Sequence, residues 1–309
     1  MSMFKFLKRI ATSPSRSVNK ATVLKKAATK KQCNYDVVNI HRIDSKNVGD
    51  FYCAPHLYFK SLHDKKLDIF DYKIPDKKVT ENWINTISHN ALIIGGGGIL
   101  NRGSFQKQMK LFESLSYKNK KMVIWGAGHN SKDRKDFGKI LNYTIDINRF
   151  GLVGTRDYKA SNTWVPCVSC LNPVFNEVYN SSQEIGVIFH KKTMKNKSIT
   201  SKFKDFPTTS NTTNLESLIE FIGNSETIIT DSYHAMYWAI LLEKKVVVIP
   251  NSSKFFDFKY QPIFSRFETC IEDVKKARTY SGVLEECKEI NLKFAQKAFE
   301  YLEIESPIE

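Results

Sequence analysis

The residues most suited to chemistry lie in Ile228-Ile229-Thr230-Asp231-Ser232-Tyr233-His234-Ala235, which runs on through Ile240 to a second apolar stretch at Val246-Val247-Val248-Ile249-Pro250. An apolar run ends at Thr-Asp-Ser, a helix-like segment begins, and another apolar run follows; the pattern reads strand, turn, helix, strand. His234 then falls just inside the helix. The first turn of a helix has unpaired N–H groups and the positive end of the macrodipole. A phosphate or carboxylate would sit well there, beside a ring that exchanges a proton near neutral pH. Thr230, Asp231, Ser232 and Tyr233 would border that anion, and Lys254 lies shortly after Pro250.

Three other segments have comparable placements, each after an apolar run. In Asn47-Val48-Gly49-Asp50, Asn47 or Asp50 either touches a sugar hydroxyl or serves as turn residue and helix cap. In Gly95-Gly96-Gly97-Gly98-Ile99-Leu100-Asn101, four glycines let a ligand approach the backbone at Gly96, Gly97 and Asn101. This is not a P-loop, because no Gly-Lys-Ser/Thr follows. In Gly154-Thr155-Arg156-Asp157, Arg156 either binds a carboxylate or phosphate in bidentate fashion or pairs with Asp157 or a surface acid.

The elements that must position these residues alternate. Strands read at Tyr35–Ile40, Ala91–Ile94, Lys121–Trp125, Phe150–Thr155 and Trp164–Cys167, with helices over Phe51–Leu62 and Phe105–Tyr117 and a glycine turn at Gly126-Ala127-Gly128. A polar stretch from Asn172 to Gln183 reads as a linker. Alternation resumes with a strand at Glu184–His190, a helix over Leu215–Ile222 closed by Gly223 as C-cap, and the opening segment. The apolar positions of 283–302 fit a helix with one apolar face. Alternating strands and helices indicate parallel sheets, so the chain reads as α/β, with two Rossmann-like doubly wound domains facing across a cleft. The divisions are a basic N-terminal tail (1–32), a first domain (33–178), a second (183–282) and a C-terminal helix (283–309) free to pack back on the first. Ligands of such sheets bind beyond the carboxyl ends of the strands, where all four segments lie.

Among 309 residues the formal net charge is +15, which suits anionic substrates. No acid precedes Asp36, while nine Lys and Arg do; this tail either associates peripherally with an anionic membrane surface or is merely solvated. No recognisable nucleic-acid module is present, so no nucleic-acid partner is expected. No apolar run approaches the roughly 18 residues of a membrane span, and Lys5, Lys8 and Arg9 break up the apolar N-terminal residues that a secretory signal would need. Six cysteines form no dense framework, which favours a reducing cytoplasm. Cys167 and Cys170 form one C-x-x-C pair without a second, so they read as packing residues rather than zinc ligands.

Taken in order, Asn47-x-Gly49-Asp50, Ile94-Gly95-Gly96-Gly97-Gly98, Arg156-Asp157 and Thr230-Asp231-Ser232-Tyr233-His234-Ala235 resemble the polysaccharide pyruvyl transferase family over most of the chain after the tail. The resemblance implies a glycosyltransferase-B-like pair of domains. It also implies transfer of pyruvate from phosphoenolpyruvate onto a sugar of a surface glycan, or its lipid-linked precursor, as a ketal. His234, protonated, would be the acid and Asp50 would orient or deprotonate the acceptor. Arg156, Lys254 and the segment Thr230–Tyr233 would hold the donor, with the acceptor near Asn47, Gly96, Gly97 and Asn101. No step requires a metal or another cofactor. One departure is plain: many members carry Arg where this chain has Ser232. A nucleotide-sugar glycosyltransferase on the same double fold, or a non-catalytic glycan-binding relative, are the alternatives.

Overall fold

The computed structural model describes residues 19–160 and 163–305. The first half holds β1 (Val37–His41), β2 (Lys66–Asp68), β3 (Ala91–Ile94), β4 (Gly97–Leu100), β5 (Met122–His129) and β6 (Leu152–Thr155) in one sheet, ordered β2-β1-β3-β5-β4, with β6 also on β5. Its helices are α1 (19–29), α2 (Val48–Tyr52), α3 (Lys77–His89) and α4 (Gln106–Ser116). The second half holds β7 (Gln183–Phe189), β8 (Thr208–Ser210), β9 (Ser225–Thr230), β10 (Lys245–Val248) and β11 (Ile263–Phe264), ordered β11-β10-β9-β7-β8. Its helices are α5 (Lys197–Thr200), α6 (Leu215–Gly223), α7 (Tyr233–Leu241) and α8 (Cys270–Asp273), and α9 (Val283–Leu302) follows. Every named pair of strands is parallel, the mixed α/β arrangement of Rossmann-like domains.

Both faces of each sheet are covered, which is why the strands read as continuous apolar runs. In the first sheet Val38, Ile40, Leu92 and Ile124 face α1, α3 and α4 through Ala27, Trp83, Ile87 and Phe112. Their neighbours Val37, Ile93, Val123 and Trp125 face the opposite way, onto Phe294, Ala298 and Phe299 of α9. In the second sheet Ile188, Ile228 and Val248 face α6 and α7, while Val187, Ile229 and Val247 face Phe203 and Cys270.

α9 begins among residues of the second half, with Val283 and Cys287 buried there, and continues onto the first sheet. Phe294 meets the Trp125 ring edge-on at 5.2 Å, and Trp125 Nε1 donates to Asn291 Oδ1 at 3.0 Å. Burying each such phenylalanine is worth about 1.5–3 kcal/mol.

Several elements differ from the sequence reading. Residues 19–29 form α1 with Val23 and Ala27 buried, instead of belonging to a solvated tail; residues 1–18 of that tail lie outside the described residues. The helix expected over Phe51–Leu62 is α2 followed by two 3-10 turns at Pro55–Leu57 and Lys60–Leu62, because Pro55 stops the first helix. β5 continues through Gly126 and Gly128 to His129, with a register shift between Trp125 and Ala127 where Gly126 takes a positive φ, and parallel neighbours complete its pairing. β4 extends the line of β3 past Gly95 and Gly96, pairing with the later part of β5. Trp164 makes one bridge to Thr155 rather than opening a strand. α6 includes Gly223, and Asn224 occupies the C-cap. The stretch expected as a polar linker contains a 3-10 turn, Pro173–Asn176, whose Phe175 is buried.

Candidate functional site

The carboxyl ends of both sheets open into one cavity of about 470 Å³, bordered by Asn47, Asp50, Gly96, Gly97 and Gly98 from the first half and Asp231, Ser232, Tyr233, His234 and Lys254 from the second. Two ties hold the halves at this point. Asn211, just beyond β8, donates from Nδ2 to Asn47 Oδ1 at 3.0 Å, and its carbonyl accepts the Val48 N–H at 3.1 Å. Lys191 Nζ meets Asp44 Oδ2 at 2.5 Å.

α7 is buried on every side, from Tyr233 to Leu241. Ser232 stands at its N-cap without a side-chain cap hydrogen bond, so the first N–H groups of α7 remain available at the cavity. Asp231 does not cap α7 either. Its carboxylate accepts the His190 N–H at 2.6 Å and the Thr193 hydroxyl, which fixes the loop after β7. Burial raises its pKa, against those hydrogen bonds. Thr230 faces away from the cavity: its hydroxyl donates to the Ile188 carbonyl at 2.7 Å and accepts the Ser232 N–H at 3.0 Å. It shapes the turn and does not reach a ligand.

His234 is 6% exposed. Its Nδ1 lies against Gly49, where a Cβ would sit 2.1 Å away, and its Nε2 is 3.7 Å from the Cys167 thiol. Burial, followed by the charges of Arg156 and Lys254, holds the ring well below its ordinary pKa. This direction opposes the protonated imidazole expected from sequence. Asp50 is the carboxylate that pulls against these two cations. Cys167, expected as packing alone, also borders this ring.

Asp50 lies within α2 and is not the helix cap; Asn47 holds the N-cap position. Asn47 Nδ2 donates to Asp50 Oδ2 at 2.6 Å. Burial raises the Asp50 pKa against the pull of Lys254 and Arg156, which makes it a stronger base than an exposed carboxylate.

Arg156 is 1% exposed, yet none of its guanidinium nitrogens has a hydrogen-bond partner. Its charge lies 4.2 Å above the Tyr233 ring, and a Cβ on Gly98 would be 3.0 Å from Nη2. It stands immediately behind the cavity wall formed by Gly98 and Tyr233. The pairing with Asp157 does not form: Asp157 Oδ2 instead accepts the His129 N–H at 2.7 Å and the Tyr143 hydroxyl at 2.8 Å. An unpaired buried cation is costly, and an incoming anion would relieve it. Lys254 is half-buried, and its Nζ lies 5.3 Å from the centroid of the same Tyr233 ring. Burial, with Arg156 adding repulsion, brings its pKa down to about 7.

Asn101 is not at the cavity. Its Nδ2 donates to the Asn142 carbonyl at 2.8 Å and its Oδ1 accepts the Thr144 N–H at 2.9 Å, so it organises a loop. The sequence reading missed Asn211, His190, Lys191, Arg102 and Lys132, all of which border the cavity. Lys191 and Lys132 stand shortly after the ends of β7 and β5, so the rule that ligands lie beyond strand ends could have found them. Nothing marked Asn211, which sits in a run of Thr, Ser and Asn that reads as a turn.

A family model described as polysaccharide pyruvyl transferase matches residues 27–253. The chain belongs to the polysaccharide pyruvyl transferase family. The matched span takes in Asn47, Asp50, the glycine loop, Arg156 and His234, and ends one residue before Lys254. No curated protein matches the chain. Among the described residues no helix is long and apolar enough to cross a membrane.

Proposed function

We propose that this family member transfers the pyruvyl group of phosphoenolpyruvate onto two hydroxyls of a sugar in a surface glycan, or its lipid-linked precursor, as a ketal. The observation that carries the reading is the unpartnered, buried Arg156 guanidinium beside Lys254 and the uncapped start of α7. The three together suit a small ligand with both a phosphate and a carboxylate. The two sheets would face one another in the glycosyltransferase-B manner, with α9 returning to the first, the acceptor on the first half and the donor on the second.

In this mechanism the donor's negative charge raises the His234 pKa, because an adjacent opposite charge favours the charged ring. His234 then gives its proton to the donor's methylene carbon, leaving an oxocarbenium-like centre at the carbon that bears phosphate. One sugar hydroxyl attacks that centre as its proton passes to Asp50. The second hydroxyl then displaces phosphate and closes the ketal, its proton passing to the His234 ring that gave one up in the first step. Asn47 orients Asp50, and Gly96 and Gly97 let the acceptor approach the backbone. No added metal or cofactor is needed to balance these steps. The work would take place in the cytoplasm, at a membrane surface if the basic N-terminus engages one.

The test is phosphate release from phosphoenolpyruvate when simple galactosides and N-acetylhexosamines are supplied. Release that depends on both a sugar and His234 supports the reading. Failure of phosphoenolpyruvate to bind, with a nucleotide sugar raising the melting temperature instead, would overturn it in favour of glycosyl transfer.

A further inference from the structure

Behind the cavity, His129, Asp157 and Asp257 bring one ring and two carboxylates within 4.8 Å of one another, all buried. His129 ends β5 in the first half, whereas Asp257 and its neighbour Ser253 come from the second. His129 Nδ1 lies 2.7 Å from Ser253 Oγ and Nε2 lies 3.3 Å from Asp257 Oδ2. A carboxylate only accepts, so Nε2–H donates to Asp257. Nδ1 hydrogen-bonds the Ser253 hydroxyl, whose oxygen accepts the Ser131 N–H at 3.0 Å. Asp257 Oδ1 also accepts the Lys159 N–H at 2.6 Å and Oδ2 the Ala160 N–H at 3.2 Å. Both ring nitrogens and both Asp257 oxygens are thus occupied within the protein, and the group is a tie between halves rather than a cation site.

Its placement gives the tie a consequence. Ser253 directly precedes Lys254, and Asp157, which accepts the His129 backbone N–H, directly follows Arg156. Asp257 also grips residues 159 and 160, a few positions beyond Arg156. The His129 ring therefore holds Ser253, beside Lys254, and Asp257, which grips the segment following Arg156; neither cation has an ion pair among the described residues. We infer that His129 is a positioning residue: through Ser253 and Asp257 it sets Lys254 and Arg156 in register across the two halves. Its effect on the donor rests on the function proposed above; its hold on Lys254 rests on the hydrogen bonds alone.

Two variants, His129→Asn and Ser253→Ala, test this with two independent readouts. The first is phosphoenolpyruvate affinity by calorimetry. Each variant is expected to weaken it about tenfold, as loss of a hydrogen bond in a charged network does. In a Lys254→Ala background, Ser253→Ala is expected to add nothing, which a merely structural role would not produce. The second is the rate of reductive methylation of Lys254 in the unliganded protein, read by mass spectrometry against Lys192. It is expected to change several-fold in both variants while Lys192 stays constant. A lowered melting temperature with Lys254 labelling and donor affinity both unchanged would overturn the inference. If wild-type protein fails to bind phosphoenolpyruvate, the donor reading falls, and the labelling still decides whether His129 holds Lys254.

Discussion

The ring of His234 occupies the place where a side chain on Gly49 would be: a Cβ there would lie 2.1 Å from Nδ1 and 2.4 Å from Cγ. The first-half helix α2 and the second-half helix α7 meet at this contact. Asp50 follows Gly49 directly, so the proposed base and the proposed acid are brought together by one missing methyl group.

Gly49→Ala should therefore separate the two halves locally or displace the His234 ring. Overpacking of this kind costs about 1–3 kcal/mol. The expected result is a lower denaturation midpoint together with loss of turnover. An alanine variant with full activity would show that the ring does not depend on this contact.

Donor binding should draw protons from solution. His234 is held neutral by burial and by Arg156 and Lys254, and Lys254 has a pKa of about 7; an anion beside them raises both. Calorimetry in two buffers of different ionisation enthalpy measures the uptake at neutral pH. His234→Gln should reduce it and lower kcat by about 10²- to 10⁴-fold, the usual worth of a general acid. Unchanged uptake in that variant would remove His234 from the role.

Donor affinity should fall as pH rises through about 7, where Lys254 loses its charge. Lys254→Arg keeps the charge at all these pH values and should flatten that profile. A profile of the same shape in the arginine variant would assign the titration to another group.

Acid should destabilise the fold earlier than carboxylate titration alone would. Burial lowers His41 to about 3 and His56 to about 4, and the two rings lie 5.0 Å apart. Burial also lowers His190 to about 4. Between these values and the ordinary 6.5 the unfolded chain binds more protons than the folded one, so stability is full above about 6.5 and falls as pH drops toward 3. Urea midpoints at a series of pH values check this. His41→Gln should weaken the dependence, and an unaltered slope would exclude His41.

The two-part α/β architecture was legible because buried parallel strands are continuous apolar runs, as at Ala91–Ile94 and Ile228–Thr230, each ending in a turn that long sequence separation does not blur. His234 and Asp50 were legible for the same reason: each stands where a strand end meets a helix. β2 and β8 were not, since three-residue strands have no period to read. Arg156 was visible as a cation, but whether it paired with Asp157 was left open by sequence. The answer came from His129 and Tyr143, which take Asp157 from positions 28 and 14 residues away. The protonation of His234 also lay beyond sequence, because it depends on which charges fold around the ring. Sequence determines which residues end up at strand ends, since that is set by local apolar pattern. Tertiary structure alone decides which charges are left without partners there, because pairing and desolvation depend on neighbours that are distant along the chain.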